Sequence, residues 1–377
     1  MHELYRRLSN EKPLIIAGNW VGDDTHDQQH SAEIEVHRMN LDFPSWGVCN
    51  PWNLYAYLQA SKKIASLAKN KSIKQIHAAC CLPEGLMAWF VAKRIGVPYL
   101  TYVHGEELNV ASSSRELKWL ARRVYRDAQT IVANSNNTAS LLAEDWLPSG
   151  ARPKVLTPGI DTATYHPARN NAQVRNQLGW GDRRVVLTVG RLQKRKGHDR
   201  MLQALPAIRA EVPDVLYAIV GDGDESNNLV ALANELGVQE SVRFYNALEG
   251  DRLLAAYQQC DLFALPNREV EGDIEGFGIV LLEAQACGKP VIAGNSGGTS
   301  ETFLDGETGF LVDATSPEKL AEAVLKAFRS PGKLEEMGAS ARDWTVRNFD
   351  WCKLSARAEA MFAMDDQQSS SAEAAAC

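Results

Sequence analysis

This 377-residue sequence contains no uncharged apolar stretch of about 20 residues, and so no candidate for a membrane-spanning helix. It also lacks an opening basic segment followed by an apolar run, so no signal peptide is expected. Cysteines are dispersed: of seven, only Cys80 and Cys81 are adjacent, and no CxxC or comparable ligand spacing occurs. That pattern fits reduced thiols of a cytosolic protein and predicts no metal site. An excess of positive charge is missing too. The net charge of -7 argues against nucleic acid as a partner, because phosphate backbones reward clustered cations.

What is present describes an ordinary globular chain, 45% apolar and 23% charged, too long for one core and suited to two domains. Short apolar runs alternate with helical patterns, the mark of βα units around parallel sheets. Strands are expected at PLIIAG (Pro13–Gly18), EIEVHRM, QIHAA, YLTYV (Tyr99–Val103), TIVAN and KVL, then at VVLTVG, VLYAIVG, VRF, LFAL, PVIAG and GFLV. Helices fit between them at Trp52–Lys69, Gly85–Ile95 and Asn136–Glu144, the last capped by Ser135 or Asn136. A Pro-, Gly- and Asn-rich stretch, TPGIDTATYHPARNNAQVRNQLGWGD, separates the halves. It predicts an acceptor-side domain over 1–166 and a second domain over 167–364 whose last helix is free to cross back. Residues 365–377, rich in Gln, Ser and Ala, are expected to be an unordered tail. The fold class is therefore α/β, with two Rossmann-like domains facing a central ligand cleft. Such a domain opens with a strand, a Gly-rich turn and a helix. This chain opens on HELYRRLS, the reading of a helix end, and the first domain is expected to lack its opening βα unit.

Chemistry concentrates in EGFGIVLLEAQACGKPVIAGNSGG (Glu275 to Gly298). Glu275 and Glu283 are eight residues apart, which puts one carboxylate at a helix mouth and the other about two turns in. Gly276 and Gly278 let the backbone approach a ligand, and the open N–H groups at Gly278, Ile279 and Val280 favour an anion. The structural alternative is a glycine-rich turn starting a buried helix, with Glu283 as a surface acid. A second element favours the functional reading. VVLTVG runs into RLQKRKG, which places Gly190, Arg191, Lys196 and Gly197 at the carboxyl end of a strand, where such folds bind ligands. Arg offers a fork of donors to phosphate oxygens and Lys a mobile point charge.

With GRLQKRKG, IVGDG (Ile219–Gly223), Glu275-x7-Glu283, SGGTSE (Ser296–Glu301), DGETGFLV (Asp305–Val312) and VHGEEL (Val103–Leu108), the chain resembles glycosyltransferase family 4, which has the GT-B fold. The resemblance runs from Pro13 to about Met361. It implies that Arg191 and Lys196 neutralise a donor diphosphate, with Gly276, Phe277, Gly278, Ile279 and Val280 beside it. It further implies that Glu283 binds the ribose hydroxyls, that Glu275 contacts the donor sugar and that His104 reaches the sugar from the first domain. Asn246 to Leu248 would lie against the base. His104, Glu275, Arg191 and Lys196 are thus the expected catalytic set. The implied reaction retains anomeric configuration and needs no metal and no cofactor beyond the nucleoside diphosphate sugar. DIEGFGIVLLEA resembles family mannosyltransferases acting on inositol lipids, which puts GDP-mannose ahead of UDP-sugars and a glycan or lipid-linked hydroxyl as acceptor.

Other readings compete. His104 by itself is the type of residue that usually serves structure. Gly221-Asp222-Gly223 imitates a dinucleotide fingerprint, but Ser226 stands where the third glycine belongs. A non-catalytic nucleotide-sugar-binding GT-B protein, or a GT-B epimerase or phosphorylase, would share much of the pattern. Trp52, Trp89 and Trp146 sit in helical patterns and are expected to pack. Trp119 differs: on SRELKWLARRVYRD it falls among Arg115, Lys118, Arg122, Arg123 and Arg126, opposite a stripe of Leu117, Leu120, Ala121 and Val124. Trp119 with Arg122 and Arg123 is expected to meet an anionic membrane or the lipid acceptor. The expected location is the cytoplasm, at the inner face of a membrane. The remaining histidines show no grouping in the sequence.

Overall fold

Each apolar run read as a strand forms one in the computed structural model, which describes residues 1–8, 12–19 and 23–376, side chains at 23, 24 and 364–376 excepted. The first stretch runs α1 (His2–Tyr5), β1 (Leu14–Ala17), α2 (Asp23–Gln29), β2 (Glu35–Arg38), α3 (Pro51–Asn70), β3 (Ile76–Ala78), α4 (Leu86–Ile95), β4 (Tyr99–Val103), α5 (Glu106–Ser112), α6 (Arg115–Asp127), β5 (Thr130–Ala133), α7 (Asn136–Asp145) and β6 (Lys154–Val155). Strands β3 to β6 make one parallel sheet in chain order, while β1 and β2 pair separately. Capping fixes the helix starts. Asn50 accepts from the Trp52 N–H ahead of Pro51, and Ser135 accepts from the Thr138 N–H.

The second stretch runs α8 (Ala172–Gln177), β7 (Arg184–Val189), α9 (His198–Glu211), β8 (Val215–Val220), α10 (Ser226–Glu235), β9 (Val242–Tyr245), α11 (Gly250–Gln259), β10 (Leu262–Leu265), α12 (Ile279–Ala286), β11 (Val291–Gly294), β12 (Gly309–Val312), α13 (Pro317–Phe328) and α14 (Pro331–Asn348), followed by α15 (Trp351–Ala376). Its six-stranded sheet is parallel throughout, in the order β12-β11-β10-β7-β8-β9. Every residue of β8 is buried, which is why VLYAIV shows no alternation: helices cover both faces. One face packs Met201, Leu205 and Ile208 of α9 with Leu320 and Val324 of α13, and the other packs Leu187 with Tyr257, Phe263 and Leu281.

The chain divides into one unit of Met1–Thr157 with Trp351–Cys377, and another of Pro158–Asp350. The first crossing comes before the expected 166/167 boundary because the connecting segment is bound to the second unit. Ile160 N–H donates to Phe349 O at 2.8 Å, and Arg342 donates to the carbonyls of Thr162 and Tyr165 at 2.9 and 2.7 Å. The second crossing precedes α15, whose Leu354 and Ala358 pack with Leu4, Leu100, Tyr102 and Val132 of the first unit. Helix α15 also continues through most of the stretch expected as an unordered tail, to Ala376, over alanines that favour a helix.

Candidate functional site

From β9 inward, the second sheet has the doubly wound arrangement in which the strand order reverses between β7 and β10. Ligands of such sheets bind outside the carboxyl ends at this switch point. The two loops that leave it are the basic loop after β7 and the acidic loop after β10. A 3₁₀ turn at Lys194–Lys196 and a left-handed Gly197 (φ 76°) lead from β7 into α9. A Cβ on Gly197 would come 1.7 Å from the Pro266 carbonyl oxygen, so only glycine lets the two loops close on each other. Asp199 then receives Arg268 in a two-bond clamp at 2.8 and 2.9 Å, and Arg268 N–H donates to Arg195 O at 2.8 Å.

That closure brings Lys196 and Glu275 together, as ion-pair partners. Arg195, which the sequence reading passed over within the KRK run, donates to the same Glu275 oxygen at 2.8 Å and meets Asp273 at 3.1 Å. The group is nearly dry, with Arg195 3% and Glu275 10% exposed as side chains. Gly298 N–H donates to Glu275 O at 3.0 Å, and a Cβ on the left-handed Gly297 would sit 1.9 Å from that oxygen. Glu275 is thus fixed through its backbone as well as its carboxylate. Arg191, on the same basic loop, is exposed. Gly221 lies beneath this loop, where a Cβ would fall 2.0 Å from Gly190 O, so the GDG stretch serves loop packing.

Glu283 occupies a different environment. Tyr257 of α11 donates to its carboxylate, as does Tyr165, and burial pushes its pKa above the usual carboxylate range while the two hydroxyls pull it back. It is not the surface acid of the structural alternative. Between the two glutamates, Gly278 (φ 91°) caps α12, and Ile279 is 44% exposed while Val280 is half-buried. Phe277, expected beside the donor, turns its ring inward. It is 3% exposed and packs with Ile160, Leu282 and Phe349, so only its backbone remains for a ligand. Asn246 is exposed just past edge strand β9, two strands from β7 and roughly 10 Å away by strand spacing.

In the first unit, His104 follows β4 with its ring exposed. Its Nε2 donates to Ala79 O at 2.9 Å, its N–H to the buried Glu107 carboxylate at 2.7 Å, and its carbonyl accepts from Asn134 at 2.8 Å. Three neighbouring strand ends therefore hold it in place.

The family model described as Glycosyltransferase Family 4 matches residues 1–164, and that described as Glycosyl transferases group 1 matches residues 170–344. A GDP-mannose-dependent alpha-(1-6)-phosphatidylinositol monomannoside mannosyltransferase of Mycolicibacterium smegmatis is 41% identical over 350 residues, covering 91% of this chain and 88% of that protein. The chain belongs to glycosyltransferase family 4. A Corynebacterium glutamicum enzyme, a GDP-mannose-dependent monoacylated alpha-(1-6)-phosphatidylinositol monomannoside mannosyltransferase, is 31% identical over 76% of each chain. Among solved structures, Anabaena Alr3699/HepE in complex with UDP and glucose aligns with a TM-score of 0.78 at 22% identity, over 96% of this chain and 94% of that one. The fold is GT-B, and the protein is a glycosyltransferase.

The family 4 chain also presents aromatic side chains outside this site. Trp119 is 64% exposed and lines a groove of about 340 Å³ with Arg122, Arg123, Arg126, Trp146 and Pro148. All three arginines have partners inside the protein, Arg122 at Asp145 O (2.7 Å), Arg123 at Asp127 (3.3 Å) and Arg126 at Asp127 (3.4 Å). Trp89 and Trp146 pack into the first unit's core. Trp52 does not: it is 80% exposed on α3, with Tyr55 and Leu58 following one helical turn apart. The expectation that it packs is corrected, because Asn53, Tyr57 and Ala60 take the inward face instead.

Proposed function

We propose that this glycosyltransferase moves mannose from GDP-mannose to a hydroxyl of an inositol-lipid glycan, with retention of configuration and with no metal at the donor. The observation that carries this reading is the buried Arg195–Lys196–Glu275 cluster at the switch point of the second sheet, in a chain 41% identical to a mannosyltransferase of that description. In the proposed step the bond from sugar C1 to the β-phosphate oxygen breaks, and a bond from the acceptor oxygen to C1 forms on the same face. The acceptor proton passes to the departing phosphate. Negative charge grows on that phosphate, and cations already fixed beside it stabilise the change with little reorganisation. Lys196 and Arg191 supply the charge, together with the N–H groups at the start of α12. Glu275 positions Lys196 and accepts from the sugar hydroxyls, Glu283 receives the ribose, Asn246 lies toward the base, and His104 serves the sugar from the first unit. Two carboxylates in these surroundings are not a glycosidase pair, since one is saturated by cations and the other is buried under tyrosines.

We place the protein in the cytoplasm at the inner face of a membrane, with the Trp119 groove toward the lipid. Among the described residues no helix is long and apolar enough to cross a membrane. The test is transfer with radiolabelled GDP-mannose and UDP-glucose, with EDTA present and the product's anomeric configuration read by NMR. Alpha-mannosylated inositol lipid from GDP-mannose alone is expected. Donor binding with no transfer to any hydroxyl acceptor would support the non-catalytic reading instead.

A further inference from the structure

Three histidines, His2 and the pair His26 and His30, meet at the start of the first unit. His2 begins α1, His26 lies within α2, and His30 follows one helical turn later, on the same face as His26. Their ring centroids are 4.9 Å (His2 to His26), 4.5 Å (His2 to His30) and 4.8 Å (His26 to His30) apart. One ring nitrogen from each lies within 4.8 Å of the other two.

The surroundings are ordered as for ligands. Each ring turns Nδ1 toward a carboxylate: His2 toward Glu3 at 3.3 Å, His30 toward Glu33 at 3.5 Å and His26 toward Asp27 at 3.7 Å. Arginines hold those carboxylates in turn, with Arg6 on Glu3 at 2.9 and 3.0 Å and Arg38 on Asp27 at 2.8 Å. A carboxylate at Nδ1 keeps the proton there and leaves Nε2 as the lone pair, the arrangement that orients metal-binding histidines. His2 Nε2 is buried and has no hydrogen-bond partner among the described residues.

We infer that His2, His26 and His30 bind one divalent transition-metal ion, Zn²⁺ by preference, through one imidazole nitrogen each, with the fourth position open to water. Three imidazoles suit zinc, nickel or copper, whereas magnesium and calcium take oxygen ligands. Zn–N bonds of about 2.0–2.1 Å need the rings to draw inward. His26 can follow, since its side chain is 52% exposed, and it also opens the path by which the ion enters. The ion's role is a cross-link. Helix α1 has four residues and buries only Leu4, and no residue of β1 or β2 is fully buried. Elements so small gain from a metal what a core of this size does not supply. The inference is independent of the donor reading, since no residue assigned to the donor belongs to the first unit's α1 or α2.

The test uses the full chain without a histidine tag, stripped with EDTA and titrated with Zn²⁺ by calorimetry. Bound metal is counted by mass spectrometry, and thermal unfolding is followed alongside. One ion per chain is expected, with a higher Tm. Affinity should drop at least about tenfold in His26→Ala and in His30→Ala, and in Asp27→Asn as the carboxylate support is lost. The metal-free Tm of His26→Ala should equal that of the metal-free parent, which separates ligand loss from misfolding. Full uptake by both histidine variants, or a cobalt-substituted protein showing thiolate charge-transfer absorption, would put the ion elsewhere and overturn the inference. So would the absence of stoichiometric uptake by the parent chain.

Discussion

In the second unit Lys196 and Glu275, assigned to donor chemistry, are packed inside the protein with Arg195 while Arg191 stands exposed beside them, whereas in the first unit the assigned groups stand at the surface. Arg195, Lys196 and Glu275 are 3%, 11% and 10% exposed as side chains, and glycine contacts at 197 and 297 lock the loops that carry them. His104, Trp119 and Trp52 are exposed. A fixed, dry group of charges suits a constant chemical feature such as a diphosphate, because no reorganisation is needed as charge develops. Exposed aromatic and basic side chains suit a partner that varies or is itself a surface. Substitutions should therefore cost fold and chemistry together in the second unit, and partner binding alone in the first.

The largest effect is expected at Glu275. Glu275→Ala leaves two cations buried with one carboxylate fewer, at a cost of about 3–5 kcal/mol, and should abolish transfer. Glu275→Gln keeps the shape and is the cleaner kinetic probe, with kcat falling roughly 10²–10³-fold. Denaturant unfolding and initial rates on both variants check this, and a normal Tm in Glu275→Ala would show that the charges are not coupled. Next comes Gly197→Ala, which meets the Pro266 carbonyl in a left-handed conformation and should cost about 3 kcal/mol from strain and overpacking.

A smaller effect separates the two glutamates by pH. The Glu283 pKa is raised above the ordinary carboxylate value, with burial the first cause. Protonation therefore favours the folded state: that contribution is complete below the unfolded value and is lost as pH rises through the higher folded one. Glu283→Gln should gain stability over the parent at neutral pH and lose that advantage in acid. Tyr257→Phe should move Glu283 further upward and cost about 1–3 kcal/mol at neutral pH. Urea unfolding across that range reads both. The smallest effect belongs to the first unit. Trp119→Ala should change stability by no more than about 0.5 kcal/mol, while Arg122→Glu with Arg123→Glu weakens sedimentation with anionic vesicles several-fold.

Strands were the most legible feature, because runs buried on both faces, such as VLYAIV, are continuous and end at a glycine. The basic loop and the Glu275 block were legible as separate motifs. Their meeting was not, since it depends on β7 and β10 being neighbours although the whole stretch from Gly190 to Asp261 lies between them in the chain. Arg195 was passed over because a run of KRK does not show which member turns inward. Tyr257 and Tyr165 had no local signal for contact with Glu283. The inward turn of the Phe277 ring, beside the bend at Gly278, had no local signal either. The histidine group stayed hidden for a similar reason. His26 and His30 have helical spacing, but His2 reaches them only through the fold.

The central claim is that the cations at the second unit's switch point hold a diphosphate. Calorimetric titration of GDP and of GMP into the parent and Lys196→Ala tests it most directly. Loss of a charge-assisted contact of about 1.5–3 kcal/mol predicts GDP binding weakened roughly ten- to a hundredfold, with GMP little changed. Unaltered GDP affinity in Lys196→Ala, or an equal loss for GMP, would contradict it.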